Sequence, residues 1–67
     1  MNENFRKMRE AAGLLQAEAA EKLGVNQSAV SMWEKGYCLP RAKLLPKVAS
    51  LYGCTIDDLL RDTADAS

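Results

Sequence analysis

Histidine is absent from this chain of 67 residues, and cysteine, proline and the aromatics are scarce: two Cys, two Pro, one Trp, two Tyr and one Phe. Without histidine the commonest general base and the commonest metal ligand are missing together. Cys38 and Cys54 alone are too few to close a zinc site, so no metal is expected. No nucleophile stands beside a base and no glycine-rich loop could cradle a phosphate, which argues against an enzyme, a small-molecule substrate or a cofactor. No apolar run nears the roughly 20 residues that span a bilayer, so no membrane role is expected. The N-terminal MNENFRKMRE has no apolar stretch after its charges and does not read as an export signal. Both cysteines are therefore expected as free thiols in a reducing compartment, the cytoplasm. Net charge is zero, without the strong basic excess common among nucleic-acid binders.

The distribution of charge is less neutral than its sum. Residues 1–53 carry eight bases against five acids, whereas the stretch from Cys54 onward carries Arg61 against four aspartates. Such polarity orients a domain on a polyanion. The length allows one domain, in which a chain this short buries about 60% of its unfolded surface.

Most of the information lies in residues 16–36, QAEAAEKLGVNQSAVSMWEKG. Ala19, Ala20 and Leu23 fall on one helical face, with Glu18, Glu21 and Lys22 on the other. Gly24 then supplies a left-handed helix end, Val25 an apolar plug, and Asn26 a cap whose side chain is expected to accept from the N–H of Ser28 or Ala29. In the second helix Val30 and Trp33 face the core, leaving Gln27, Ser28, Ser31, Met32 and Lys35 on other faces. Alanines at 19 and 20 permit close helix approach, and the short turn forces a steep crossing like that of a helix-turn-helix.

The run of Gln16, Ala20, Leu23, Gly24, Val25, Gln27, Ser28, Val30, Trp33, Glu34 and Gly36 closely resembles the Cro and phage-repressor type of helix-turn-helix DNA-binding domain, the XRE family. The resemblance implies a partly buried ion pair between Arg9 and Glu34. It also implies that Gln16 touches a phosphate and braces the glutamine that opens the recognition helix. Two positions depart from the pattern. Leu15 stands where a capping Ser or Thr is usual, so the helix opening at Gln16 is expected to start weakly. Met32 replaces a residue that is often polar or basic.

The remaining chain completes an all-α bundle of five short helices. Residues 4–12 read as the first, capped by Asn4 or Asn2, with Phe5, Met8 and Ala12 on the apolar face and Gly13 as the stop. Arg6 and Lys7 lie on its far side, where they could reach a phosphate, but read as solvated charges. A pattern of Leu44, Leu45, Val48, Ala49, Leu51 and Tyr52 ends at Gly53; its helix is expected to begin near Lys43, with Pro46 in the first turn or kinking it. Thr55 with Asp58 reads as a capping box opening a last helix. Cys54 is expected to pack and Cys38 to lie in a loop. The domain is assigned to residues 1–61, with 62–67 a flexible tail.

Base contacts are expected from Gln27, Ser28, Ser31 and Met32, since residues at the start of a recognition helix reach base edges in the major groove. Gln27 offers a donor and an acceptor that together suit adenine, and the Met32 thioether suits a thymine methyl. Backbone contacts are expected from Gln16, Lys35, Tyr37, Arg41 and Lys43. Trp33 reads as core rather than as a stacking residue. The expected function is sequence-specific binding of double-stranded DNA by a homodimeric transcriptional regulator, a repressor, with Leu51, Tyr52 and residues 54–60 as candidate dimer surface. The alternative is a protein-interaction module on the same fold, such as an antitoxin or adaptor with a protein partner; zero net charge and Met32 favour it, whereas Gln16 and Gln27 with the basic set do not.

Overall fold

A computed structural model of the chain describes residues 3–61. The proposed tail, 62–67, and the possible cap Asn2 lie outside these residues. Five helices follow in order: α1 Asn4–Ala11, α2 Gln16–Leu23, α3 Gln27–Lys35, α4 Leu45–Tyr52 and α5 Ile56–Leu60. The described residues contain no strand.

One core joins all five. Phe5 of α1, Ala19, Ala20 and Leu23 of α2, Val30 and Trp33 of α3, Val48, Ala49 and Tyr52 of α4 and Leu59 of α5 form a contiguous buried cluster. The Phe5 and Trp33 rings meet at 6.2 Å between centroids, tilted by 48°, within the range of favourable aromatic pairs. Trp33 is thus a core side chain, and its truncation would cost about 3 to 5 kcal/mol.

The turn between α2 and α3 follows from Gly24, whose φ of 74° is open to glycine at little cost. Its N–H donates to the Glu21 carbonyl at 3.3 Å and that of Val25 to the Ala20 carbonyl at 3.0 Å, closing the last turn of α2 in a Schellman motif. Val25 then packs against the core. Ala19 and Ala20, both buried, let α2 lie close to α3.

Several expectations of local structure are corrected. Asn4 is not the cap of α1: it is the first residue of that helix, it is buried, and its side-chain amide donates to the carbonyls of Asp58 and Arg61 at the end of α5. Those carbonyls are among the groups a helix end leaves without partners, and Asn4 supplies them. Glu3 stands at the cap position without a capping bond. Ala12 is exposed, because α1 stops at Ala11 and the buried side of its last turn is taken by Arg9. Asn26 has the extended backbone of a cap, but its side chain makes no capping bond; its backbone carbonyl instead accepts from Ala29 at 3.0 Å, and the exposed amide is left to solvent. α4 opens at Leu45 rather than near Lys43. A turn in which the Leu44 and Leu45 N–H groups donate to the Arg41 carbonyl, at 2.9 and 3.1 Å, occupies the preceding residues. Pro46 therefore falls in the first turn of α4, where its missing N–H breaks no bond.

At α2 the side chain of Leu15 is exposed and caps nothing, and the Glu18 carboxylate accepts from the Leu15 N–H at 2.9 Å, which is half of a capping box. At α5 the box is complete. The Asp58 N–H donates to Thr55 Oγ1 at 2.9 Å, and the Thr55 N–H donates to the Asp58 carboxylate at 3.0 Å.

Candidate nucleic-acid interface

With Val30 and Trp33 turned into the core, the opposite side of α3 faces outward. Gln27, Ser28, Ser31, Met32 and Lys35 line one open depression, which Gln16 at the start of α2 completes. All four residues expected to reach bases and two of those expected to meet phosphates are thus neighbours. Met32 is 40% exposed at this face, a thioether open to an apolar contact.

Behind this face lies a polar chain anchored in the protein. Arg9 Nε donates to Glu34 Oε2 at 2.6 Å and Arg9 Nη2 to Glu34 Oε1 at 3.1 Å. Only 8% and 6% of the two side chains is exposed. Arg9 Nη1 also donates to the Leu14 carbonyl at 2.8 Å, tying α1 to the segment that leads into α2. The hydrogen bond to Glu34 holds the Arg9 pKa above its ordinary value, against the opposing effect of burial. Gln16 Nε2 donates to Glu34 Oε1 at 2.9 Å, and Gln27 Nε2 to Gln16 Oε1 at 3.4 Å.

Tyr52 lies in the electrostatic field of this pair. Its hydroxyl is buried without a hydrogen-bond partner among the described residues. Burial, with a smaller effect of the Glu34 charge, pushes its pKa up to about 12. Being buried, Tyr52 is withdrawn from the candidate dimer surface, on which Leu51 is half-buried and Ile56 and Leu60 are exposed on α5.

The other expected backbone contacts are more scattered. Arg41 and Lys43 line a depression with Leu23, Gly24, Val25 and Leu44, at the turn between α2 and α3. Tyr37, 73% exposed in the loop after α3, borders none of these depressions. Arg6, read from the sequence as a solvated charge, lines a further depression together with Glu3, Gln16, Ser31, Glu34 and Lys35. It forms an exposed ion pair with Glu3. No local signal marks Arg6, because its nearness to α3 comes from the packing of α1 against that helix.

No helix among the described residues is long and apolar enough to cross a membrane, and no group of three or more Cys, Asp or Glu there could hold a metal ion. Both cysteines are free, Cys38 exposed and Cys54 half-buried against the core.

Comparison with known proteins shows the family. The family model described as "Helix-turn-helix" matches residues 5–59. The chain is 36% identical over 59 residues to the HTH-type transcriptional activator BcrR of Enterococcus faecalis, covering 88% of this chain and 29% of that protein. It is 35% identical over 60 residues to the HTH-type transcriptional regulator ImmR of Bacillus subtilis, covering 90% and 47%. It is 34% identical over 59 residues to an uncharacterized HTH-type transcriptional regulator of Archaeoglobus fulgidus, covering 88% and 84%. The chain thus spans less than half the length of the first two relatives and most of the third. By the extent of the family match and by these relatives, the chain belongs to the Cro/C1-type helix-turn-helix family, that of the XRE-type transcriptional regulators.

Proposed function

We propose that the chain binds double-stranded DNA sequence-specifically, with α3 in the major groove, and regulates transcription as a homodimer. Gln27, Ser28, Ser31 and Met32 contact bases. Gln16, Lys35, Tyr37, Arg41 and Lys43 contact the sugar-phosphate backbone. The observation that carries the reading is the shared outward face of Gln16, Gln27, Ser28, Ser31, Met32 and Lys35, two of them glutamines joined to each other. Such a face offers paired donors and acceptors at a helix start with a cation further along, the chemistry of base edges flanked by phosphates. In its simplest action the domain represses by occupying its site; one relative is named an activator, so the sign of regulation is an outcome for a reporter assay.

Two copies reading one two-fold site would place their recognition helices about 34 to 36 Å apart. Ile56 and Leu60, exposed one turn apart on α5, are the apolar residues assigned to the dimer contact. The domain acts in the cytoplasm, in keeping with its unpaired thiols. Selection of sites from a random duplex pool tests the whole reading. It predicts enrichment of a short palindrome whose affinity falls steeply with salt. Failure to enrich any sequence at low salt would favour the protein-interaction module, for which zero net charge and the exposed Leu15 and Leu39 are the supporting observations.

A further inference from the structure

We infer that Glu34 is a positioning residue for base reading, because its carboxylate sets the sense in which Gln16 presents its amide and thereby the sense in which Gln27 presents its own. The inference rests on the proposed base contact of Gln27.

A side-chain amide has one donor end and one acceptor end, so two linked amides admit several arrangements. An ionised carboxylate only accepts. Glu34 Oε1 already receives Arg9 Nη2, and it receives Gln16 Nε2 at 2.9 Å. Only the NH2 end of Gln16 can face that oxygen, which leaves the Gln16 carbonyl turned toward α3. A carbonyl also only accepts, so Gln27 turns its NH2 toward it, at 3.4 Å. What Gln27 keeps for the groove is its Oε1 and one N–H. That combination matches the N6 amino group and N7 of adenine, whereas guanine offers two acceptors, O6 and N7, in the same places. Glu34 is suited to the role because Arg9 grips both of its oxygens and both side chains are almost wholly buried.

Glu34→Gln reverses the logic while keeping the volume. Arg9 still requires an acceptor and takes the carbonyl of the substituted amide, whose NH2 then faces Gln16. Gln16 turns its carbonyl to that NH2 and its own NH2 to Gln27, whose Oε1 becomes engaged. The near atom of Gln27 at the groove is then an acceptor and the far one a donor, the reverse of the order that adenine requires.

The test uses duplexes enriched from a random pool by the wild-type chain. The base pair read by Gln27 is the one whose preference Gln27→Ala abolishes. At that pair, Kd is measured for A·T and G·C duplexes with the wild type, Glu34→Gln, Gln16→Met and Arg9→Lys, each below its own Tm. The wild type should prefer A·T by about tenfold. Glu34→Gln should erase that preference. Gln16→Met should erase it with a smaller loss of Tm than Arg9→Lys, because the Arg9–Glu34 pair is intact. Arg9→Lys should lower Tm yet keep the preference, because the carboxylate still faces Gln16. Should Glu34→Gln fail to fold, Arg9→Met combined with Glu34→Gln removes both charges together and should relax the same preference. The inference is overturned if folded Glu34→Gln, or the double variant in its place, keeps the A·T preference, or if Arg9→Lys loses it equally. It is also overturned if the wild type prefers a pair other than A·T there. If Gln27→Ala changes no base preference, the proposed base contact itself fails, and this inference with it.

Discussion

Asn4 and Asp58, fifty-four positions apart in sequence, are joined by a hydrogen bond from the Asn4 side-chain amide to the Asp58 carbonyl at 2.8 Å. The same amide also donates to the Arg61 carbonyl, so one buried side chain ties the start of α1 to the end of α5. Asn4→Ala should lower the unfolding free energy by about 1 to 3 kcal/mol, the usual cost of leaving a buried polar group unpaired. Asn4→Asp should lower it further at neutral pH, because a carboxylate would face two carbonyl oxygens. Urea unfolding of the three proteins checks the order.

Tyr52 should show itself at high pH. Its folded-state pKa is raised from 10.0 to about 12, so the neutral phenol is the form the fold prefers. The stability linked to it is whole below pH 10 and is lost as pH rises from 10 through about 12. Comparing the wild type with Tyr52→Phe across that window isolates the effect, since the other titrating groups are common to both. The difference should grow with pH in favour of Tyr52→Phe, which also removes a buried hydroxyl that has no partner among the described residues. At pH 7 the variant should be at least as stable as the wild type.

Gly24→Ala separates backbone strain from steric conflict. The φ of 74° disfavours any residue with a side chain, yet a Cβ at this position would meet nothing within 4 Å. The expected loss is about 1 kcal/mol, with a chain that still folds and still binds its site on cooling. A loss several times larger would mean that the turn between α2 and α3 requires glycine for more than its φ.

What was legible in the sequence was local. The pairing of Thr55 with Asp58, Gly24 as a left-handed helix end, and Val30 with Trp33 on the buried face all depend on residues within a single turn of one another. What was not legible needed a distant partner. Asn4 looks like a cap until α5 is seen to lie over it, and Arg6 looks like a solvated charge until α1 is packed beside α3. Asn26 shows the other limit: its backbone takes the cap conformation, but its exposed side chain has water as a competing partner. The outward face of α3 was visible as the complement of the buried one, which is why Gln27, Ser28, Ser31, Met32 and Lys35 emerge together. Tyr37 and Arg41 were placed by loop position alone, and Tyr37 does not join that face.

Lys35 and Gln27 should fail in different ways. Lys35→Ala should weaken binding to every duplex and reduce the slope of log affinity against log salt by about 0.9, the contribution of one phosphate contact. Arg41→Ala should act in the same sense, from the depression beside the turn. Titrations at four salt concentrations give both slopes.

The most direct test of the central claim is a pair of titrations with Gln27→Ala, on the duplex selected by the wild type and on a scrambled duplex of equal length. The account predicts that affinity for the selected duplex falls by about tenfold or more while affinity for the scrambled one hardly moves, because a base contact is lost and the phosphate contacts are kept. An equal loss on both duplexes, or no loss on either, would contradict the assignment of α3 as the helix that reads the bases.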